Sequence, residues 1–145
     1  MKLRIIWVGR SKENFVKEGI SKYDRLISPF CRIEYEEIKD SKERGTAKAL
    51  GIEAEKILKA SNRFTLLSDK GRQYSSVEFA EYLTRMNGGC FVIGGPYGVS
   101  ERIMEKAEDM ISLSKMTFTH EMARIIFLEQ VYRALTIINK RGYHH

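Results

Sequence analysis

The sequence predicts an α/β fold in which a parallel sheet carries helices on both faces. Segments with strand-like and helix-like patterns alternate five times along the 145 residues, which is typical of βα units in a parallel sheet. The segment CFVI at 90–93 is apolar throughout, as expected of a central strand that is buried on both faces. The length fits one core, so residues 1–145 are predicted to form a single domain.

Each element is predicted from local composition and periodicity. Residues 2–8 are rich in β-branched and aromatic side chains, and residues 31–38 alternate as a half-buried strand at a sheet edge. A charged segment at 39–44 follows that strand. The predicted strands are 2–8, 31–38, 63–68, 90–93 and 110–113, and the predicted helices are 11–26, 46–60, 75–86, 101–108 and 119–139.

Start and stop signals set the bounds of these elements. Ser11 is predicted to cap the first helix, and Pro29 prevents that helix from continuing. Ser75 and Glu78 have the spacing of a capping box, and Asn87 can close the same helix in a left-handed conformation. The run Asp-Lys-Gly at 69–71 predicts a turn that ends the third strand.

Charge and composition restrict the class of partner. The formal charge of +6 and the pI of about 9.3 favour a polyanion, nucleic acid first. The sequence contains neither an apolar run of membrane-spanning length nor a signal peptide, which predicts a cytoplasmic protein without a membrane partner. It contains no CxxC or HExxH motif, so no metal site is expected.

Three loops at strand ends are candidates for a ligand site. Ligands of open parallel sheets bind outside the carboxyl ends of the strands. The candidate loops are 67–71, 94–98 and 114–118. The glycines at 94 and 95 permit close approach of a ligand, or they serve only to make tight turns. Neither GxGxxG nor GxxxxGK[ST] is present, which disfavours a dinucleotide-binding dehydrogenase and a P-loop enzyme.

The last predicted helix is apolar over most of its circumference. A narrow polar stripe contains Glu129, Arg133, Thr136 and Lys140. Such a helix must be buried on more than one side, so we expect one side to face the sheet and another to face a second copy of the chain. Arg124 lies away from the stripe and is predicted to have structural partners.

The chain ends in Gly-Tyr-His-His at 142–145. This end could be a frayed tail or the remnant of a tag. Alternatively, Tyr143 could stack on a nucleic-acid base, while the basic residues and histidines around it donate to phosphates or base edges.

Several of these segments together resemble one family. FVIGGPYG at 91–98, ISLSKMTF at 111–118, the segment 120–132 and the final Tyr143-His144 are similar to the SPOUT-class ribosomal RNA large-subunit methyltransferase H family. The resemblance implies methyl transfer from S-adenosylmethionine to N3 of a pseudouridine in 23S ribosomal RNA of the assembled ribosome. It also implies a homodimer, a C-terminal trefoil knot, no metal and no DNA partner. The knot could not be derived from the residues, since protein chains rarely form one.

The resemblance also assigns site residues. Arg133, Tyr143 and His144 would lie on the RNA side of the site, with His144 as base or proton carrier, or with Arg133 stabilising negative charge on the ring. The sequence departs from the family pattern at Thr119, commonly Pro, and at Glu121, commonly Gln. The residues that would bind the cofactor are Leu67, Gly94, Leu113, Ser114, Lys115, Met116, Thr117 and Phe118.

Two other functions remain compatible with the residues. A non-catalytic basic dimer that binds structured RNA, such as a ribosome assembly factor, would explain the charge but would not need the three strand-end loops. A flavodoxin-like phosphate-binding domain is the weaker alternative, and it predicts affinity for a mononucleotide.

Overall fold

The computed structural model describes residues 1–43 and 45–145, so Arg44 of the predicted charged segment lies outside the described residues. Within the described residues, strands and helices alternate five times, which confirms the predicted order. The elements are β1 (Lys2–Val8), α1 (Asn14–Ile27), β2 (Ile33–Ile38), α2 (Ala47–Ala60), β3 (Thr65–Gln73), α3 (Ser76–Met86), β4 (Gly88–Ile93), α4 (Glu101–Lys106), β5 (Asp109–Ser112) and α5 (His120–Ile138).

The strands form one sheet in the order β2-β1-β4-β3-β5, and every neighbouring pair is parallel. β2 is therefore an edge strand and β4 is the central strand, as predicted. The order also places β3 between β4 and β5, although β3 precedes both of them in the chain. The carboxyl ends of β4, β3 and β5 consequently lie side by side.

The sheet separates two hydrophobic cores, because successive side chains of a strand point to opposite faces. On one face, Leu3 and Ile5 of β1 pack with the buried side of α5, and α1 and α3 complete this layer. On the other face, Ile6 and Val8 pack against α2 and α4. This arrangement confirms the prediction of helices on both faces.

β3 differs from its prediction. The turn expected at 69–71 does not end the strand, which continues to Gln73. Leu67 and Arg72 both align with Ile111 of β5, so the residues between them form an irregularity within the pairing. Gly71 lies so close to β5 that a Cβ atom there would come within 2.6 Å of the Met110 backbone. Pairing with β5 therefore overrides the local turn preference of these residues.

The cap of α3 matches its prediction and the start of α1 does not. Ser75 Oγ accepts a hydrogen bond from the Glu78 amide at 3.1 Å, and Asn87 ends α3 with a φ of 52°. The residue that caps α1 is Glu13, whereas Ser11 Oγ accepts a hydrogen bond from Arg124 of α5. Ser11 therefore connects two distant segments instead of starting a helix. Within residues 1–43 and 45–145, none of the helices is long and apolar enough to cross a membrane.

Candidate functional site

The three segments predicted as loops come together at the carboxyl edge of the sheet, but 67–71 is an irregular part of β3 and not a loop after its end. Leu67 of β3 aligns with Ile93 of β4 on one side and with Ile111 of β5 on the other. Gly94 directly follows Ile93, and Leu113 lies two residues beyond Ile111. The strand order therefore groups residues that were selected from three separate parts of the sequence.

The loop after β4 is a tight turn with little free space at its start. A Cβ atom at Gly94 would come within 3.0 Å of the Gly98 carbonyl oxygen and of the Val99 side chain. The Gly98 amide donates to the Gly95 carbonyl at 3.0 Å, which closes the turn. Tyr97 at its tip is exposed. The glycines thus serve the turn itself, and that turn brings backbone groups to the sheet edge beside β3.

The loop after β5 is fixed at its start and exposed beyond it. Ser112 Oγ donates to the Ser114 carbonyl at 2.9 Å, and Ser114 Oγ accepts from the Met116 amide at 3.0 Å. Lys115 and Thr117 are exposed, and Met116 is 77% exposed despite its apolar side chain. An exposed methionine beside a cation and a hydroxyl is a surface on which a ligand with both apolar and polar parts could bind.

A crevice of about 60 Å³ opens next to the start of this loop. It lies between the first turn of α3, the end of β5 and the middle of α5. None of its lining residues except Leu113 was selected from the sequence as a site residue, because the crevice depends on long-range packing. The lining residues are Tyr74, Ser75, Phe79, Ile111, Ser112, Leu113, Phe127 and Gln130.

The first turn of α5 explains both departures from the family pattern. Thr119 caps the helix, since its Oγ accepts from the Met122 amide at 3.2 Å. The Glu121 carboxylate accepts from the Lys12 and Glu13 amides, the latter at 3.2 Å, at the start of α1. Burial opposes ionisation of Glu121, but these two amides outweigh it and lower its pKa. Glu121 therefore holds the amino ends of α1 and α5 together.

Arg124 is fully buried one turn further along α5. Its guanidinium donates to the carbonyls of Val8 and Gly9 at 2.8 and 3.0 Å and to Ser11 Oγ at 2.9 Å. It also lies 4.8 Å from the centre of the Trp7 ring. Burial lowers the pKa of Arg124 to about 10. These contacts confirm the predicted structural pairing, with backbone carbonyls as the main partners.

The C-terminal tail is docked on α5 of its own chain. Arg133 donates to Glu129 Oε1 through Nε at 3.0 Å and through Nη2 at 2.6 Å. The Tyr143 hydroxyl donates to the same oxygen at 3.3 Å, and the Arg133 guanidinium lies 4.8 Å from the Tyr143 ring centre. His144 Nδ1 lies 3.2 Å from Arg133 Nη1. The structure therefore brings Arg133, Tyr143 and His144 together.

The contact between Arg133 and His144 defines the tautomer of the imidazole. A guanidinium has only donors, so Nδ1 of His144 must accept. In the neutral ring the proton then lies on Nε2. Nε2–H of His144 is consequently available as a donor, while Nδ1, the basic nitrogen, accepts from Arg133.

The polar stripe predicted for α5 is only partly correct. Thr136 is buried, and its hydroxyl donates to the Arg133 carbonyl at 2.6 Å within the helix. Glu129 and Arg133 are partly exposed and form an ion pair. Glu129 and Arg133, the partly exposed members of the stripe within α5, therefore lie beside the docked tail.

The two groups of candidate residues are separated along α5. Thr119, which follows the loop at 113–118, and Glu129, which anchors the tail, are about 15 Å apart along the axis at 1.5 Å per residue. In the described parts of the chain, no hydrogen bond, ion pair or ring contact joins the loop at 113–118 to the tail. The same described residues contain no group of three histidines, cysteines or acidic residues that could hold a metal ion.

Comparisons with known proteins agree on one family. A family model described as "Predicted SPOUT methyltransferase" matches residues 1–144. The chain is similar to proteins named "Ribosomal RNA large subunit methyltransferase H" from Geotalea daltonii, at 43% identity over the full length of both chains, and from Geobacter sulfurreducens, at 39% over the full length of both. The protein of that name from Thermodesulfovibrio yellowstonii is 41% identical over 99% of each chain.

Proposed function

Because this chain belongs to the SPOUT methyltransferase family, we propose that it methylates large-subunit ribosomal RNA with S-adenosylmethionine as the methyl donor. The target atom is N3 of a pseudouridine in 23S ribosomal RNA, and the substrate is the assembled ribosome in the cytoplasm. The observation that carries this proposal is that the loops after β4 and β5 lie beside Leu67 and the irregular part of β3, in a chain whose relatives are named ribosomal RNA methyltransferases.

The chemistry of the loops suits S-adenosylmethionine. The ligand combines a flat adenine, a ribose, a sulfonium and an amino-acid group, so it needs backbone donors and acceptors, hydroxyls and an apolar surface. Leu67, Gly94 and the residues from Leu113 to Phe118 supply these groups at adjacent strand ends. Bound S-adenosylmethionine supplies a methyl group that is already electrophilic, so the chain has only to orient the reacting atoms and exclude water.

Arg133, Tyr143 and His144 are proposed to act on the RNA. The Tyr143 ring can stack on a base, which favours a splayed-out nucleotide. N3 of pseudouridine must lose a proton, and the charge that develops spreads to the two flanking carbonyl oxygens. Arg133 and the Nε2–H of His144 are donors that can stabilise this charge. For His144 to act as the base, its Nδ1 must first separate from Arg133.

We infer that a complete site uses two copies of the chain. The contacts described for the tail hold it on α5 of its own chain, and none of them joins it to the loop at 113–118. In a homodimer, the tail of one subunit could lie against the cofactor loops of its partner. α5 supports such an arrangement because it carries apolar side chains beyond those that pack on the sheet. The trefoil knot is part of the same proposal and is supported by family membership alone.

A ligand titration separates this function from the alternatives. The purified chain should bind S-adenosylmethionine and its demethylated product, S-adenosylhomocysteine, as measured by calorimetry. A ribosome assembly factor would bind RNA without either ligand, and a flavodoxin-like domain would bind a mononucleotide instead. Lack of binding at millimolar S-adenosylmethionine would exclude the proposed enzyme.

A further inference from the structure

One carboxylate lies at the centre of the docked tail. Glu129 Oε1 accepts from Arg133 Nε, Arg133 Nη2 and the Tyr143 hydroxyl. Its other oxygen, Oε2, accepts from Gln130 Nε2 at 2.9 Å. The Glu129 side chain is 18% exposed. Both of its oxygens are therefore engaged by side chains of the same chain.

A second layer of contacts fixes the direction of Glu129. Ser76, in the first turn of α3, donates from Oγ to Gln130 Oε1 at 2.8 Å. The amide of Gln130 must consequently turn its NH₂ group toward Glu129. Gln130 also lines the crevice beside Leu113. A continuous series of hydrogen bonds thus runs from α3 through Gln130 and Glu129 to the tail.

Aromatic and cation–π contacts hold the Tyr143 ring beside Glu129. The Tyr143 ring meets Tyr132 edge-on at 4.7 Å between centres, and Tyr132 packs in turn against Tyr23 and Phe30. With the guanidinium of Arg133 over the ring, the hydroxyl points to Glu129. The hydrogen bonds that Arg133 donates to Glu129 raise the pKa of Arg133 and keep the guanidinium charged. Burial, followed by the charge of Glu129, raises the pKa of Tyr143 and keeps the phenol protonated.

We propose that Glu129 is a positioning residue that orients Arg133 and Tyr143 for methyl transfer to the RNA. This inference rests on the proposed function, since it assumes that these two side chains meet the nucleotide. Glu129 acts through them, because its own oxygens already accept from this chain. The hydrogen bonds that Glu129 accepts from Arg133 and Tyr143 explain how a short exposed tail keeps a defined geometry without substrate.

The test compares Glu129→Ala and Glu129→Gln with the wild type. Misplacement of reacting groups by about 1 Å can lower a rate about 10²-fold, so Glu129→Ala should lower kcat by about that factor. Glu129→Gln keeps an acceptor for Tyr143, so kcat should fall only about tenfold. The affinity for S-adenosylmethionine should not change in either variant. The matched control is Glu105→Gln, an exposed carboxylate on α4 across the sheet, which should retain wild-type kcat.

A double-mutant cycle separates positioning from a purely structural role. If Glu129 orients Tyr143, Tyr143→Phe should lower kcat much less in the Glu129→Ala background than in the wild type. An equal decrease in kcat in both backgrounds, or wild-type kcat in Glu129→Ala and Glu129→Gln, would overturn the inference.

A measurement that does not depend on methyl transfer separates this inference from the proposed function. Digestion by a carboxypeptidase should release Tyr143 faster from Glu129→Ala than from the wild type or Glu105→Gln, because an undocked tail opens more often. Equal release rates would overturn the positioning role even if the enzyme is active. A wild type that binds no S-adenosylmethionine would instead overturn the proposed function, and the release rates would still decide whether Glu129 holds the tail.

Discussion

Arg124 and Arg133 lie on the same helix but have opposite surroundings. Arg124 is fully buried, donates to two carbonyls and a hydroxyl, and has its pKa lowered by burial. Arg133 is partly exposed, pairs with Glu129, and has its pKa raised by that hydrogen bond. The first connects α5 to the end of β1, and the second holds a tail that can meet a ligand. Placement relative to the sheet thus decides whether an arginine of this helix is buried against backbone carbonyls or partly exposed beside the tail.

Arg133→Met should have the largest effect on function. Loss of a donor that stabilises developing charge costs about 10²- to 10³-fold in kcat. Loss of a partly exposed ion pair should change the free energy of unfolding by less than about 1 kcal/mol. Methyl-transfer kinetics on ribosomes and urea denaturation measure the two quantities. A large loss of stability in this variant would remove the distinction between the two arginines.

Arg124→Met should have the converse effect, with stability as the main loss. It removes the donor from the Val8 and Gly9 carbonyls in a fully buried site, so the free energy of unfolding should fall by roughly 3 kcal/mol. Denaturation in urea, run in parallel with Arg133→Met, gives the comparison directly. If both variants unfold at the same urea concentration, burial is not what separates these residues.

Glu121→Gln should have the smallest effect and should depend on pH. The folded-state pKa of Glu121 is lowered, so its charge contributes stability at neutral pH, and this contribution decreases as the pH falls below about 4.5 and through the lowered pKa. At pH 7 the variant should be less stable by under about 1 kcal/mol, since exposed pairs are screened. Thermal unfolding at pH 7 and pH 3 measures the difference. A constant difference between the two pH values would show that the carboxylate charge is not responsible.

Much of the fold follows from local sequence signals. The five βα units, the edge position of β2, the central position of β4 and the cap at Ser75 are all confirmed. Each depends on the periodicity or the backbone chemistry of neighbouring residues. The strand order does not, because the same periodicity is compatible with several pairings.

Two failures of sequence reasoning involve distant partners. The turn expected at 69–71 is replaced by strand pairing with β5, and Ser11 accepts from Arg124 instead of capping a helix. The three segments of the candidate site could be selected from the sequence, but their adjacency depends on β3 lying between β4 and β5. The role of Glu129 depends on a tail that folds back on α5, which no local pattern indicates.

The most direct test of the proposed activity is transfer of a labelled methyl group. The full chain is incubated with methyl-labelled S-adenosylmethionine and ribosomes that lack the large-subunit modification, and the labelled nucleotide is mapped by digestion and mass spectrometry. We expect label on N3 of a pseudouridine in 23S ribosomal RNA, with Arg133→Met giving far less. Label on another atom or nucleotide, or no label from a chain that binds S-adenosylmethionine, would contradict the proposed function.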